Sequence, residues 1–159
     1  MPRRPSALRA ELRQRKPFAS LGAEATVSLL RTASMVRRSL ARVVEGEGLS
    51  LAQYNVLRIL RGAGDAGLPT LAIRDRLIEE APGITRLVDK LEAAGLLRRE
   101  RSTPDRRQVL CYLTAHGRAL LRRLDAAVDA ADTAAVATLE KRELRTLVRL
   151  LDRIRASQR

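Results

Sequence analysis

Aromatic, cysteine and histidine residues are scarce in this chain of 159 residues. It has three aromatic side chains, Phe18, Tyr54 and Tyr112, together with one cysteine and one histidine. A single cysteine excludes an internal disulfide framework. One cysteine and one histidine also cannot supply the three or four soft ligands of a protein-built zinc site. We therefore expect neither a metal nor another cofactor.

Long apolar runs and catalytic groupings are missing as well. No stretch of about 18 apolar residues occurs, and no apolar segment follows the first residues, so the sequence predicts neither a membrane span nor a signal peptide. We expect no membrane partner and a cytoplasmic location. The sequence offers no second histidine and no nucleophile–base pair, so we do not expect an enzyme.

Positive charge is in excess. The chain has 31 Lys plus Arg against 18 Asp plus Glu, a formal net charge of +13, which favours a polyanionic partner. Most of these cations are arginines, although heavy use of arginine can equally reflect a GC-rich genome. Proteins that bind single strands or RNA loops rely on aromatic platforms. The scarcity of aromatic residues therefore favours double-stranded DNA.

The N-terminal segment and the two helices after it are predicted from charge and periodicity. Residues 1–17 are strongly basic and contain two early prolines, Pro2 and Pro5, which indicates a mobile basic arm or a solvated tail without a specific role. Apolar residues then recur every three or four positions and predict a helix over Leu21–Val44. Ser50 is the expected N-cap of a second helix, which ends in the glycine cluster at residues 62–67.

The middle of the chain predicts two short helices followed by a hairpin. The first helix is expected within Pro69–Ile78, starting after Thr70. The second is expected over Ala81–Ala94, with Pro82 in its first turn and Gly95 as its C-terminal stop. Alternation predicts strands over Leu96–Arg101 and residues 109–113 around a turn at residues 102–107. This order is a winged helix-turn-helix, so the predicted class is mainly α with a small β-hairpin wing.

Two helices are predicted after Thr114. The first carries a helical stripe rich in alanine, and a break at Thr138–Lys141 separates it from the last helix. These stripes are too apolar for isolated surface helices, which indicates self-association. The predicted organisation is a basic arm, an N-terminal dimerisation helix, a winged helix-turn-helix DNA-binding lobe and C-terminal dimerisation helices, over residues 1–17, 18–48, 49–113 and 114–159.

Two sequence blocks resemble the MarR (multiple antibiotic resistance regulator) family of transcription factors. The first, residues 85–91 followed by Gly95-Leu96, is similar to the family's recognition helix and its terminal glycine. The second is the wing pattern Asp105-Arg106-Arg107, followed by an alternating strand and the Leu-Thr-x-x-Gly motif at residues 113–117. The resemblance implies a homodimeric, sequence-specific regulator, most simply a repressor, that binds a pseudo-palindromic duplex operator and responds to a small-molecule effector.

The predicted recognition helix has an apolar face and a polar face. Its apolar face is expected to pack on the preceding helix, and it consists of Ile84, Leu87, Val88 and Leu91. The outward residues are Gly83, Thr85, Arg86, Asp89 and Lys90. The Thr85 side chain suits a phosphate, a base edge or a thymine methyl group, and Arg86 can bind guanine or phosphate. These residues and Lys90 are candidate DNA contacts.

The wing offers a second group of candidates. Arginines at a hairpin tip can enter a narrow A·T-rich minor groove. By resemblance, Arg107 is the minor-groove arginine and Asp105 holds it by a charge-assisted hydrogen bond, which leaves Arg106 as a phosphate contact. Arg99 and Arg101 share one face of the first strand and are candidate contacts to the DNA backbone.

Three other residues and one alternative function complete the expectations. Tyr54 is a candidate to line an effector pocket, with a core position as the alternative. Cys111 is expected to be a buried apolar residue, and His116 a structural or exposed one with no metal role. The alternative function is a non-specific architectural DNA-binding protein of the nucleoid type, driven by net charge and the basic arm.

Overall fold

The fold is mainly α-helical with one small antiparallel sheet, as the sequence predicts. A computed structural model describes residues 7–79, 83–102 and 108–158. Contacts between residues divide the chain into two units, Met1–Ser39 and Leu40–Arg159. In chain order the elements are α1 (Ala7–Glu11), α2 (Leu21–Glu45), α3 (Leu51–Ala63), a 3₁₀ turn (Gly64–Ala66), β1 (Leu68–Pro69), α4 (Thr70–Arg74), α5 (Ile84–Ala93), β2 (Leu97–Arg101), β3 (Val109–Leu113), α6 (Ala115–Ala135) and α7 (Lys141–Ala156).

The first unit contains α1 and most of α2. The short helix α1 lies within the segment read as a basic arm, and the sequence did not predict it. Arg31 Nε on α2 donates to Glu11 Oε1 on α1 at 2.7 Å, so an exposed ion pair joins the two helices. Ser20 Oγ accepts from the amide of Ala23 at 3.0 Å just before α2. The extent of α2 confirms the predicted long helix.

The second unit holds the hydrophobic core, to which α3, α5, α6 and the sheet all contribute. Its fully buried large side chains are Val44, Val56, Leu57, Leu60, Ile73, Val88, Leu91, Leu97, Cys111 and Leu121. The predicted N-cap of α3 is confirmed. Ser50 Oγ accepts from the amide of Gln53 at 3.2 Å, and Gln53 Oε1 accepts from the amide of Ser50 at 2.8 Å. This reciprocal capping box satisfies two amides that the helix itself leaves without partners.

The sheet confirms the predicted hairpin and adds a strand that the sequence analysis missed. β2 and β3 pair in antiparallel fashion along their whole lengths. β1 pairs with the other side of β3, with Leu68 opposite Cys111, so the strand order is β1-β3-β2. Pro69 is tolerated in β1 because an edge strand can lack one amide donor.

The predicted helix within Pro69–Ile78, whose start was placed after Thr70, is wrong at its C-terminal end. Pro69 belongs to β1, and α4 covers only Thr70–Arg74. The backbone then turns away from the helix, and the amide of Ile78 donates to Asn55 Oδ1 on α3 at 3.0 Å. The Ile78 side chain is 85% exposed, whereas Ile73 is fully buried. Burial therefore fixes the single turn around Ile73 and gives no support to a longer helix.

The predicted start of the next helix at Ala81 is also wrong. α5 begins at Ile84, and its N-cap Gly83 has a φ of 100°, in the left-handed region. This left-handed conformation is not helical, so the regular helix starts after Gly83. Residues 80–82 themselves lie outside the described residues.

Two glycines shape the junction between α5, β2 and α6. Gly95 has a φ of 67°, and the amide of Leu96 donates to the carbonyl of Leu91 at 2.9 Å, which is a Schellman C-cap. The predicted helix stop is thus confirmed. At the start of α6, Thr114 Oγ1 accepts from the amide of Gly117 at 3.0 Å and donates to the carbonyl of Gly95 at 2.7 Å. A Cβ at Gly117 would lie 2.2 Å from the Leu96 carbonyl oxygen, so only glycine allows this close approach.

The two C-terminal helices have the predicted order and the predicted break. α6 buries one stripe, Leu120, Leu121, Leu124 and Val128. α7 begins after Glu140, which forms a capping box with Glu143. Among the residues that the structure describes, no helix is both long and apolar enough to cross a lipid bilayer.

Candidate nucleic-acid interface

The recognition helix α5 has the two faces that its sequence predicts. Ile84, Val88 and Leu91 are buried and belong to the core, and Leu87 packs against it. Thr85, Arg86, Asp89 and Lys90 are exposed. No ion pair to another described residue engages Arg86 or Lys90. Within the part of the chain that the structure describes, the outer face of α5 therefore presents one hydroxyl and two cations without an ion pair.

Arg99 on β2 has a different environment from the one expected. Its Nε donates to Glu92 Oε2 at 2.8 Å, its backbone amide donates to Glu92 Oε1 at 3.0 Å, and its Nη1 lies 2.8 Å from Asp89 Oδ1. These bonds lower the pKa of Glu92 and raise that of Arg99, because each partner stabilises the charged form of the other. We call Asp89, Glu92 and Arg99 the α5–β2 clamp.

The clamp was not predicted from the sequence, although a signal for it exists. Asp89 and Glu92 are three residues apart and therefore lie on one side of α5. An arginine at the third position of the next strand is near enough to reach both. The guanidinium of Arg99, a candidate contact to the DNA backbone, is thus engaged with two carboxylates.

The wing is described up to the base of its tip. The amide of Ser102 donates to the carbonyl of Gln108 at 2.9 Å, which continues the β2–β3 ladder by one step. Arg98 lies over the ring of Tyr112 with 4.5 Å between the guanidinium carbon and the ring centroid, and also pairs with Glu100. Arg101 is exposed near the end of β2. The predicted contacts Asp105, Arg106 and Arg107 lie outside the described residues.

The remaining singled-out residues belong to the core or to the surface. Tyr54 is only 5% exposed and lies in the hydrophobic core, in agreement with the core alternative. Cys111 is fully buried, with Sγ 3.7 Å from Thr70 Oγ1, and burial raises the pKa of its thiol. His116 is exposed. Within the described ranges, no group of three or more His, Cys, Asp or Glu side chains could hold a metal ion.

Two ion pairs attach α6 to the elements that precede the helix-turn-helix. Arg61 Nη1 on α3 donates to both carboxylate oxygens of Asp125, at 2.8 and 3.0 Å. Arg123 Nη2 donates to Glu47 Oε2 at 2.8 Å, and this hydrogen bond lowers the pKa of Glu47. Together with the buried stripe of α6, these pairs join the long helix to the lobe that carries α5.

The last helix, α7, has an apolar stripe with no described cover. None of its side chains is buried within the described residues. Its exposed large apolar residues are Leu147, Val148, Leu150 and Ile154. An exposed apolar stripe of this kind marks an interaction surface more often than a solvated face.

A helix-turn-helix followed by a β-hairpin, with the outer face of the second helix charged and exposed, defines a winged helix DNA-binding protein. Comparison with known proteins gives the family. The MarR family model matches residues 49–109. The transcriptional repressor Rv2887 of Mycobacterium tuberculosis is 30% identical over 126 residues, which are 79% of this chain and 89% of the repressor. The chain belongs to the MarR family and is a transcriptional regulator rather than an enzyme.

Other relatives agree with this assignment. The transcriptional regulator TtmR of Methylorubrum extorquens is 33% identical over 106 residues, or 67% of this chain, and the chain spans 53% of that relative. The crystal structure of a MarR transcription factor from Planctomyces limnophilus is 37% identical, with a TM-score of 0.65 over 86% of this chain and 98% of that one. Rv2887 in complex with salicylic acid is 29% identical, with a TM-score of 0.63 over 86% and 96%. None of these findings favours the nucleoid-type alternative.

Proposed function

We propose that the chain acts as a homodimeric repressor that binds a pseudo-palindromic operator in duplex DNA. The observation that carries this proposal is the outer face of α5, where Thr85, Arg86 and Lys90 are exposed while the opposite face is anchored in the core. A helix fixed on one side and free on the other can enter the major groove without rearrangement. The location of such a regulator would be cytoplasmic.

Three of the outward residues of α5 have complementary chemistry for binding DNA. Arg86 carries a planar fork that binds guanine O6 and N7 bidentately, so it is the proposed base-reading residue. Thr85, in the first turn, contacts a base edge or a thymine methyl group. Lys90 is one turn further on and binds phosphate as a point charge. Base contacts supply sequence preference, and phosphate contacts supply orientation and salt-dependent affinity.

The wing supplies the second set of proposed contacts. Arg107 enters the minor groove and Asp105 orients it, while Arg106 binds phosphate; all three are proposals from the family resemblance. Arg101 is exposed on the strand that leads to this tip, which supports a contact with the DNA backbone. We do not extend that proposal to Arg99, because its donors bind Glu92 and Asp89.

The dimer is proposed to form through the N- and C-terminal helices. The apolar stripe of α7 supports this proposal, because covering it removes Leu147, Val148, Leu150 and Ile154 from water. A two-fold dimer presents two copies of α5 to half-sites about one helical turn, or roughly 10 base pairs, apart. Operator symmetry then follows from protein symmetry.

Regulation by a small effector is proposed from the relatives. The structure of the mycobacterial relative contains salicylic acid, a small aromatic acid. We propose an effector of this chemical type for the present chain. Tyr54, the candidate pocket residue, lies in the core. Any contribution of its side chain to effector binding therefore requires the residues around it to repack.

The test is selection of duplexes from a random pool by the full chain, followed by affinity measurement at physiological salt. The expected result is an inverted-repeat sequence that binds at least about a thousandfold more tightly than bulk duplex. Arg86→Ala should weaken binding to that sequence by ~1–3 kcal/mol. The matched control is Arg149→Ala, which removes the same charge from an exposed position on α7. A pool without enrichment, combined with a steep salt dependence that disappears when residues 1–16 are deleted, would support architectural binding instead.

A further inference from the structure

The recognition helix and the wing are joined by a charged clamp whose three side chains are all only partly exposed. The exposed fractions of the Arg99, Glu92 and Asp89 side chains are 32%, 34% and 50%. The Glu92 carboxylate accepts hydrogen bonds from the backbone amide, Nε and Nη2 of Arg99. Asp89 receives Nη1. The strand is thereby attached to the helix through its main chain and its side chain together.

These bonds leave little capacity for a phosphate at Arg99. A guanidinium has five N–H donors in a fixed fork, and three of its nitrogens already donate to carboxylates. The clamp as a whole also carries two negative charges and one positive charge. Its net charge therefore repels a phosphate, in contrast to the outer face of α5 at Arg86 and Lys90.

We infer that Arg99 is a positioning residue, which acts through Glu92 and Asp89 to hold the wing hairpin at a fixed angle to α5. The inference rests on the proposed function, because it concerns how two DNA-reading elements are kept in register. Helix and wing must enter neighbouring grooves of one duplex at the same time. Binding sites of this kind tolerate errors of only about 0.5 Å and 10–20° in their supporting residues. A hairpin fixed in advance also loses less conformational freedom on binding.

The direction in which operator affinity changes in one variant distinguishes positioning from direct contact. Glu92→Gln removes a negative charge next to the DNA and frees Arg99 in part. If charge alone mattered, or if Arg99 bound phosphate, operator affinity would stay the same or rise. If Arg99 positions the wing, operator affinity falls because the clamp is weakened. Glu100→Gln is the matched control. Glu100 is an exposed carboxylate on the same strand, but it pairs with Arg98 and is not part of the clamp.

The experiment measures affinity for the duplex selected by the wild-type chain, affinity for bulk duplex, hydroxyl-radical footprints and melting temperature. For Glu92→Gln we expect about tenfold weaker operator binding. Bulk-duplex binding should change less than about twofold, because the clamp is not itself a phosphate contact. Protection of the minor groove by the wing should weaken, while protection by α5 remains. Glu100→Gln should bind the operator as tightly as wild type or more tightly.

Arg99→Lys is the second variant, and it keeps the charge while losing the planar fork. Positioning predicts a loss of operator affinity similar to that of Glu92→Gln, whereas a simple phosphate contact predicts near-normal binding. Unchanged or tighter operator binding by folded Glu92→Gln, or near-normal binding by Arg99→Lys, overturns the inference. If the wild-type chain itself enriches no duplex, the proposed function fails instead, so the two failures are distinguishable.

Discussion

Gly117→Ala tests whether close packing requires glycine at the last position of the Leu-Thr-x-x-Gly motif. Gly117 lies in the first turn of α6, without a positive φ. Its added Cβ would lie 2.2 Å from the Leu96 carbonyl oxygen and 2.7 Å from Leu113 Cδ1. Real Cβ atoms essentially never come within 3.0 Å of such neighbours, so the backbone between α5 and β2 must move.

Two opposing terms decide the magnitude. Replacing glycine by alanine inside a helix normally stabilises by about 1 kcal/mol. Overpacking a close contact costs about 1–3 kcal/mol, and more when the obstacle is backbone. Here the obstacle is the Leu96 carbonyl, to which Thr114 Oγ1 also donates at 3.0 Å. Taking the upper end of that cost, about 3 kcal/mol, and subtracting the gain of about 1 kcal/mol, we expect the free energy of unfolding to fall by about 2 kcal/mol.

The assay is urea unfolding followed by circular dichroism, at one fixed protein concentration because dimerisation affects apparent stability. Gly62→Ala is the control: Gly62 lies in α3, and an added Cβ there meets nothing within 4 Å. It should raise the free energy of unfolding by up to about 1 kcal/mol. Stabilisation by both substitutions would refute the close-packing argument.

Four further predictions concern the helix stop, the dimer, the wing and the thiol. Gly95→Val should lower the melting temperature by several degrees, since a β-branched residue cannot easily adopt a φ of 67°; an unaltered melting curve contradicts this. Val148→Asp places a charge in the exposed stripe of α7 and should give monomers in sedimentation velocity. A dimer that persists at micromolar concentration would count against that interface. Arg107→Ala should weaken operator binding by ~1–3 kcal/mol, and equal affinity on an A·T-flanked operator argues against a minor-groove arginine. Cys111 should react slowly with a thiol reagent in the folded chain and quickly in urea, because burial raises its pKa; fast native labelling would disprove that.

Periodicity and capping signals were sufficient for most of the fold. The Ser50 cap, the Gly95 stop and the alternating strand at residues 109–113 each have a local cause, and each is confirmed. The two faces of α5 are also confirmed, because a strong 3.6-residue pattern fixes which side is buried.

The errors arose where tertiary contacts override local preference. The two-residue strand β1 is defined only by its partner β3, which lies about 40 residues further along the chain. Beyond the end of α4, the amide of Ile78 bonds to the side chain of Asn55, which no local pattern reveals. The environment of Arg99 was inferred from the alternation of its strand alone, so its two carboxylate partners on α5 were not predicted. In each case the missing information was the identity of a distant neighbour.

The most direct test of the account is the ratio of two dissociation constants at physiological salt, for the selected inverted repeat and for a scrambled duplex of the same composition. If α5 and the wing read a sequence together, the inverted repeat binds at least about a thousandfold more tightly, with one dimer per site. Equal affinity for the two duplexes would contradict the central claim and leave only charge-driven binding.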